Sequence, residues 1–248
     1  MRFILGFIRF IGFALVSVLM ITYFLLTGIV LGYSTERGFR LRARFICIML
    51  VVLNVRVRYF GNLPGKDFTG FIVANHRSYF DPMAILRDID AVTVAKSQVS
   101  GWPIVGFGAK LVGVIWVNRA DKDSRRATRD KMVEQIKAGY NVMIFPEGTS
   151  HTAEQMLEVR NATFVIAAEN NIPILPVAIE YHLKSDAWVG DDTFIRHFFE
   201  CFGKWETQVG VCIGEPVVIQ DAEALKNEVV GMINEHVKFL RGELDYRE

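Results

Sequence analysis

Gly70-Phe71-Ile72-Val73-Ala74-Asn75-His76-Arg77-Ser78-Tyr79-Phe80-Asp81-Pro82 decides how this chain of 248 residues is read. Residues 70–74 form the continuous apolar run of a strand buried on both faces. Asp81-Pro82 opens a helix, with Asp suited to the cap and Pro to the first turn. A strand passing directly into a helix is the unit from which α/β domains are built. The join also carries one imidazole and one carboxylate five residues apart. A neutral histidine held by an acid suits proton transfer at neutral pH. Asp81 serves the helix start equally well, and the two roles are compatible.

The same pattern recurs on either side. Val55, Val57 and Tyr59 alternate with Arg56 and Arg58, the period of a half-exposed strand. Short apolar runs follow at residues 91–95, 113–117, 141–145, 177–181 and 208–213. Helix-like segments at 122–138, 153–169 and 221–240 separate several of them. This alternation predicts a single α/β domain with a mostly parallel central sheet flanked by helices. Ligands of such sheets sit beyond the carboxyl ends of the strands. His76 follows the second strand and Glu147 the fifth, so both are expected at one rim. Residues 183–206, rich in acids, read as an irregular excursion.

The N-terminus differs from the rest. No charged residue occurs from 10 to 35, and about 20 apolar residues suffice to span a bilayer. The run is longer than the apolar part of a signal peptide and ends at no small-residue cleavage pattern. Arg2 and Arg9 precede it; Arg37, Arg40, Arg42 and Arg44 follow. The richer downstream cluster places the following domain on the cytoplasmic face of the membrane. Charge on both flanks also fits a helix that dips without crossing. Residues 45–53 are apolar but too short to span, which suits the interface or the first helix. Residues 1–53 are thus expected to be a membrane-anchoring two-helix module and 54–248 the α/β domain. A net charge of +1 gives no footprint for nucleic acid, and three widely spaced cysteines give neither a disulfide framework nor a zinc site.

Three other features invite chemistry. Phe145-Pro146-Glu147-Gly148-Thr149-Ser150 follows a strand and precedes a helix; Gly148 admits close approach of a ligand, and Glu147 is placed to accept hydrogen bonds from a polyol. The plainer reading is a turn capped by Thr149 or Ser150. Arg119 ends a strand, where its planar fork suits phosphate or carboxylate, and Lys96 holds the comparable place after the preceding strand. Each reads equally well as a solvated cation. Arg125, Arg126, Arg129 and Lys131 read as the wet face of a helix, with lipid headgroups as a second possibility. No G-x-S-x-G elbow, Walker loop or metal-ligand cluster is found.

Asn75-His76-x-Ser78-x-x-Asp81, Gly113 to Arg119, Phe145 to Thr149 and the apolar block from Ile174 to Ile179 stand in this order. Together they resemble the four blocks of the glycerolipid acyltransferase family, whose best-known members are 1-acyl-sn-glycerol-3-phosphate acyltransferases. The resemblance covers residues 70–179, and an apolar N-terminus is typical of the family. It implies that His76 deprotonates the free hydroxyl of a lysolipid while Asp81 orients it. The oxygen would attack a fatty acyl thioester carried on coenzyme A or acyl carrier protein. Arg119, Glu147, Gly148 and Thr149 would bind the acceptor, with no metal and no cofactor beyond the donor. Lysophosphatidate, giving phosphatidate, is the first expectation. Ser150 departs from the arginine that many members carry there, and Arg160 stands alone where a basic pair is common. A lyso-amino-acid lipid of the ornithine or glycine type is therefore the alternative acceptor. A non-catalytic lipid-binding scaffold is the reading from another class, against which His76 and Asp81 speak.

Overall fold

The computed structural model describes residues 2–102 and 105–248. Seven strands form one sheet: β1 (Val55–Phe60), β2 (Phe71–Ala74), β3 (Ala91–Lys96), β4 (Ile115–Val117), β5 (Asn141–Ile144), β6 (Ile174–Tyr181) and β7 (Thr207–Ile213). Their spatial order is β1-β7-β6-β2-β5-β3-β4. Strands β2 to β6 run parallel, β7 is antiparallel to β6, and β1 pairs parallel with β7. The sheet is thus mostly parallel, as the alternation of strand and helix predicts. β2 is central, which is why all four of its residues are buried.

Among the described residues eight α-helices accompany the sheet: α1 (Arg2–Leu31), α2 (Thr35–Leu53), α3 (Asp81–Ile85), α4 (Val105–Leu111), α5 (Lys122–Lys137), α6 (Ala162–Asn170), α7 (Phe194–Phe202) and α8 (Ala222–Glu243). Alternate residues of β2 point to opposite faces. Phe71 and Val73 meet Met132 of α5, Phe164 of α6 and Val229 of α8 in one core. Ile72 and Ala74 meet Ile85 of α3 and Phe198 of α7 in the other.

α1, with 30 residues, is about 45 Å long and is apolar enough to cross a bilayer. α2 carries Arg37, Arg40, Arg42 and Arg44 and does not meet that test. Both helices are nevertheless tied to the sheet. Phe3, Phe10 and Phe13 of α1 pack on Phe199, Phe198 and Phe194 of α7. Buried Arg9 donates to the carbonyls of Phe202, Lys204 and Trp205, which close the end of α7. α2 sends Phe39 into one core and Ile46 and Leu53 into the other. The outward side of α1, including Ile4, Ile8, Leu15 and Leu19, stays exposed.

Two expected segments differ. The helix predicted over 153–169 begins only at Ala162. Before it, the amides of Ala153, Met156 and Leu157 donate to side chains of His151, Asn234 and Glu147, so they are unavailable to a helix. The excursion at 183–206 contains α7. Phe194, Phe198 and Phe202, four residues apart, form an aromatic stripe that tertiary packing turns into a helix.

Candidate active site

Strand register sets the heights of the two central loops. Val73 of β2 lies opposite Ile144 of β5, and His76 and Glu147 each follow three residues later. Asn75 first extends the pairing of β2 with β6: its side chain donates to Ile179 O and accepts from Ile179 N, at 2.9 and 2.8 Å. The loops then interlock, because His76 N donates to Glu147 Oε2 at 2.8 Å and His151 N donates to His76 O at 3.1 Å.

Asp81 is fully buried and holds the histidine. Its Oδ2 lies 2.7 Å from His76 Nδ1 and accepts from the amides of Arg77 and Ser78 at 2.6 and 2.8 Å. The Tyr181 hydroxyl donates to Oδ1 at 2.9 Å. Burial, with the Asp81 charge beside it, pushes the Tyr181 phenol well above its usual pKa, so it stays a donor. Four donors thus converge on this buried carboxylate. Asp81 is the first residue of α3, and the preceding Phe80 supplies no side-chain cap. The carboxylate is therefore turned back onto the 76–78 loop rather than onto the helix it starts.

A carboxylate on Nδ1 assigns the proton to that nitrogen and leaves the lone pair on Nε2. The ring stacks on Phe145 at a centroid distance of 4.1 Å and an angle of 18°. Its side chain is 22% exposed, and Nε2 has no protein partner among the described residues. This nitrogen is able to accept a proton from a hydroxyl brought to the rim.

Glu147 is differently engaged. Its side chain is fully buried, Oε2 is held by His76 N, and Oε1 accepts from Leu157 N at 2.9 Å and meets His151 Nε2 at 2.5 Å. Protein donors thus take the carboxylate that sequence reading offers to an acceptor. Gly148 has φ +77°, and a Cβ there would lie 2.8 Å from Arg119 Nη1, so a side chain would displace that guanidinium. Arg119 donates to Gly148 O, and Arg160 Nε lies 3.6 Å from the same Cβ position. Thr149 is exposed on the rim. Lys96 sits opposite Val117, two residues before Arg119. Partial burial, then Arg119 and Arg160, lower the Lys96 pKa; burial, then Arg160, lowers that of Arg119. Three cations so close together, with no acid paired to them among the described residues, fit an anion.

Aromatic rings gather beside the loop that carries His76, starting from Tyr79 three residues on. Tyr79 lies 5.3 Å from Trp188 and 5.0 Å from Phe194, and Trp102 lies 5.9 and 5.6 Å from the same two rings. Phe13 of α1 joins this wall through Phe194. The Trp188 segment is stapled to both loops: Trp188 N donates to Arg77 O at 2.8 Å, and the Ser150 hydroxyl donates to Trp188 O.

Sequence reading did not find the buried supports. Arg77 makes a two-pronged contact with Glu180, 3.1 Å at each oxygen, and donates to His151 O at 3.0 Å. Arg241 of α8 also donates to Glu180, at 2.9 Å. A lone Glu180 in an otherwise apolar, wholly buried strand was the available signal, since a buried charge requires a partner. His151, four residues after Glu147, carried no such signal.

The sequence model of the Acyltransferase family matches residues 56–180, just over half of the chain. A lyso-ornithine lipid O-acyltransferase of Rhizobium meliloti (strain 1021) is 28% identical over 209 residues, covering 77% of this chain and 71% of that protein. A chloroplast 1-acyl-sn-glycerol-3-phosphate acyltransferase of Arabidopsis thaliana is 26% identical over 175 residues, covering 70% and 46%. The crystal structure of the 1-acyl-sn-glycerophosphate (LPA) acyltransferase PlsC from Thermotoga maritima superposes with a TM-score of 0.71, at 23% identity, over 97% of this chain and 98% of that one. That likeness concerns the fold. The match across β1 to β6, which includes both loops and all six expected site residues, identifies the chain as a member of the Acyltransferase family.

Proposed function

We propose that this acyltransferase moves a fatty acyl group from an acyl thioester to the free hydroxyl of a lysolipid with an anionic head. The observation that carries the proposal is the Asp81–His76 pair with Nε2 open, on loops that also hold an aromatic cluster and the Gly148 turn where Arg119 and Arg160 gather. His76 Nε2 takes the hydroxyl proton as the oxygen attacks the thioester carbonyl. The C–O bond forms and the C–S bond breaks. The proton passes from the imidazolium to the departing thiolate, releasing a thiol and the diacylated lipid. Asp81 stabilises the imidazolium between these steps. Lys96, Arg119 and Arg160 hold the acceptor's anion, with Gly148 and Thr149 along its path. α1 lies in the membrane, and the arginines of α2 support a catalytic domain on the cytoplasmic face.

A phosphate monoester carries nearly two charges, and three cations favour it; lysophosphatidate is the first acceptor on this reading. A second acceptor, a lyso-ornithine lipid, is supported by the name of a relative matched over most of its length and by Ser150, whose hydroxyl serves Trp188. Purified wild type and His76→Ala should be offered both lysolipids in competition, with coenzyme A and carrier-protein thioesters. Acylation of either that disappears in the variant supports the mechanism, and the preferred acceptor decides between the two. Equal turnover by both proteins would refute His76 as the base, and no turnover by wild type would refute the reaction.

A further inference from the structure

Four exposed cations of α5, Lys122, Arg125, Arg126 and Arg129, form no ion pair among the described residues. Some other cations are paired, as Lys204 is with Asp186, Arg58 with Glu243 and Lys226 with Glu223. The α5 group adjoins the site. Arg125 donates to Arg119 O at 2.7 Å, and Arg119 in turn donates to Gly148 O. Lys122, Arg126 and Arg129 also wall a groove of about 480 Å³ between α5 and α6, with Val133 and Ile166 as apolar lining. Asp130, Glu169 and Asn170 complete it, Asp130 lying further along α5 than the cations.

We propose that this groove docks a small acidic carrier protein that presents the acyl thioester to His76. The inference deepens the proposed function by choosing the donor, and it rests on that reading. Three features favour a protein surface. From Lys122 to Arg129 the cations spread along about 10 Å of a convex helix, whereas nucleotide phosphates call for donors converging on a point. Apolar Val133 and Ile166 beside charged residues give the groove the mixed lining of a protein interface. The groove also lies on the sheet face covered by α5, α6 and α8, while exposed apolar α1 packs on α7 across the opposite face. A water-borne partner reaches it with α1 in a membrane. Complementary charge speeds such an encounter and makes it salt-dependent.

The test compares full-length wild type with the triple variant Lys122→Glu/Arg126→Glu/Arg129→Glu, using one acyl chain on acyl carrier protein or on coenzyme A. The proposal expects KM for the carrier thioester to rise by roughly tenfold or more, while kcat/KM for the coenzyme A thioester stays within about twofold. The carrier's kcat/KM should fall with salt in wild type and lose most of that slope in the variant. Equal losses with both donors, unchanged kinetics with the carrier, or use of the coenzyme A thioester alone would each overturn it. So would unchanged carrier kinetics with weaker binding to phosphatidylglycerol vesicles, which would assign the face to lipid. Anisotropy of labelled carrier protein with both enzymes measures docking without turnover, so failure of the groove is told apart from failure of the proposed reaction. Tighter binding by wild type supports the groove, and equal binding overturns it.

Discussion

The protein contains two histidine–carboxylate pairs on adjacent loops, and they are built for opposite ends. His76 lies 2.7 Å from Asp81, and His151 lies 2.5 Å from Glu147. In the first pair the carboxylate is saturated by four donors while the imidazole keeps one nitrogen open at the rim. In the second both imidazole nitrogens are engaged, Nε2 with Glu147 and Nδ1 accepting from Ala153 N at 3.1 Å. The carboxylate, in turn, holds the backbone of the first loop through His76 N. Residue types and separations are nearly the same, so reactivity is decided by which atom is left unpaired. On the proposed mechanism, one pair moves a proton and the other keeps it aimed.

The largest expected effect tests that division. His76→Ala should lower kcat by roughly 10²–10⁴-fold, the usual contribution of a general base. His151→Ala should lower it by no more than about tenfold, with its main cost in thermal stability; equal losses would erase the distinction. Next comes Glu147→Gln, which keeps the shape but sets an amide against donors at Leu157, His151 and His76. Unfolding by denaturant should show about 1–3 kcal/mol of lost stability, and an unchanged midpoint would mean that these contacts are dispensable. A smaller effect is expected in pH dependence. The Lys96 pKa is lowered by burial, Arg119 and Arg160, so its charge is lost as pH rises at values below those of a free lysine. Acceptor KM should therefore climb on the alkaline side in wild type and stay flat in Lys96→Arg, whose guanidinium remains charged. Parallel profiles would remove Lys96 from acceptor binding. Ser150→Ala should be mildest: loss of one hydrogen bond to Trp188, about 1 kcal/mol, read as a change of a few-fold in acyl-chain preference with His76 chemistry intact.

What could be read in advance followed the range of the interactions. Strands appeared because continuous apolar runs need no partner to be recognised; all seven expected runs contain strands in the sheet. His76 and Asp81 stand out because a strand-to-helix join sets them five residues apart, and Arg119 because it follows an apolar run that contains β4. The first half of the helix expected over 153–169 failed because Glu147 and Asn234, the latter 78 residues from Met156, take its amides. α7 was hidden among the acids of 183–206, although Glu200, paired with Arg196, is the one acid within it. The Arg77–Glu180 contact joins residues 103 apart, and the gathering of Lys96, Arg119 and Arg160 depends on a strand end and two separate loops. No local pattern encodes such meetings. The role of Glu147 was misjudged for the same reason, since its three donors come from 10, 4 and 71 residues away.

The register of β2 against β5 also bears on how such a chain tolerates change in length. Val73 faces Ile144, and three residues beyond each stand His76 and Glu147. Deleting one residue within β2 would exchange its two packed faces and, in the same event, put the two loops out of step by about 3.3 Å. Point substitutions there can be absorbed by repacking, but a frame of this kind has no partial failure. Lineages carrying it should vary freely in residue count around the exposed 62–67 loop between β1 and β2, and hardly at all between Phe71 and His76.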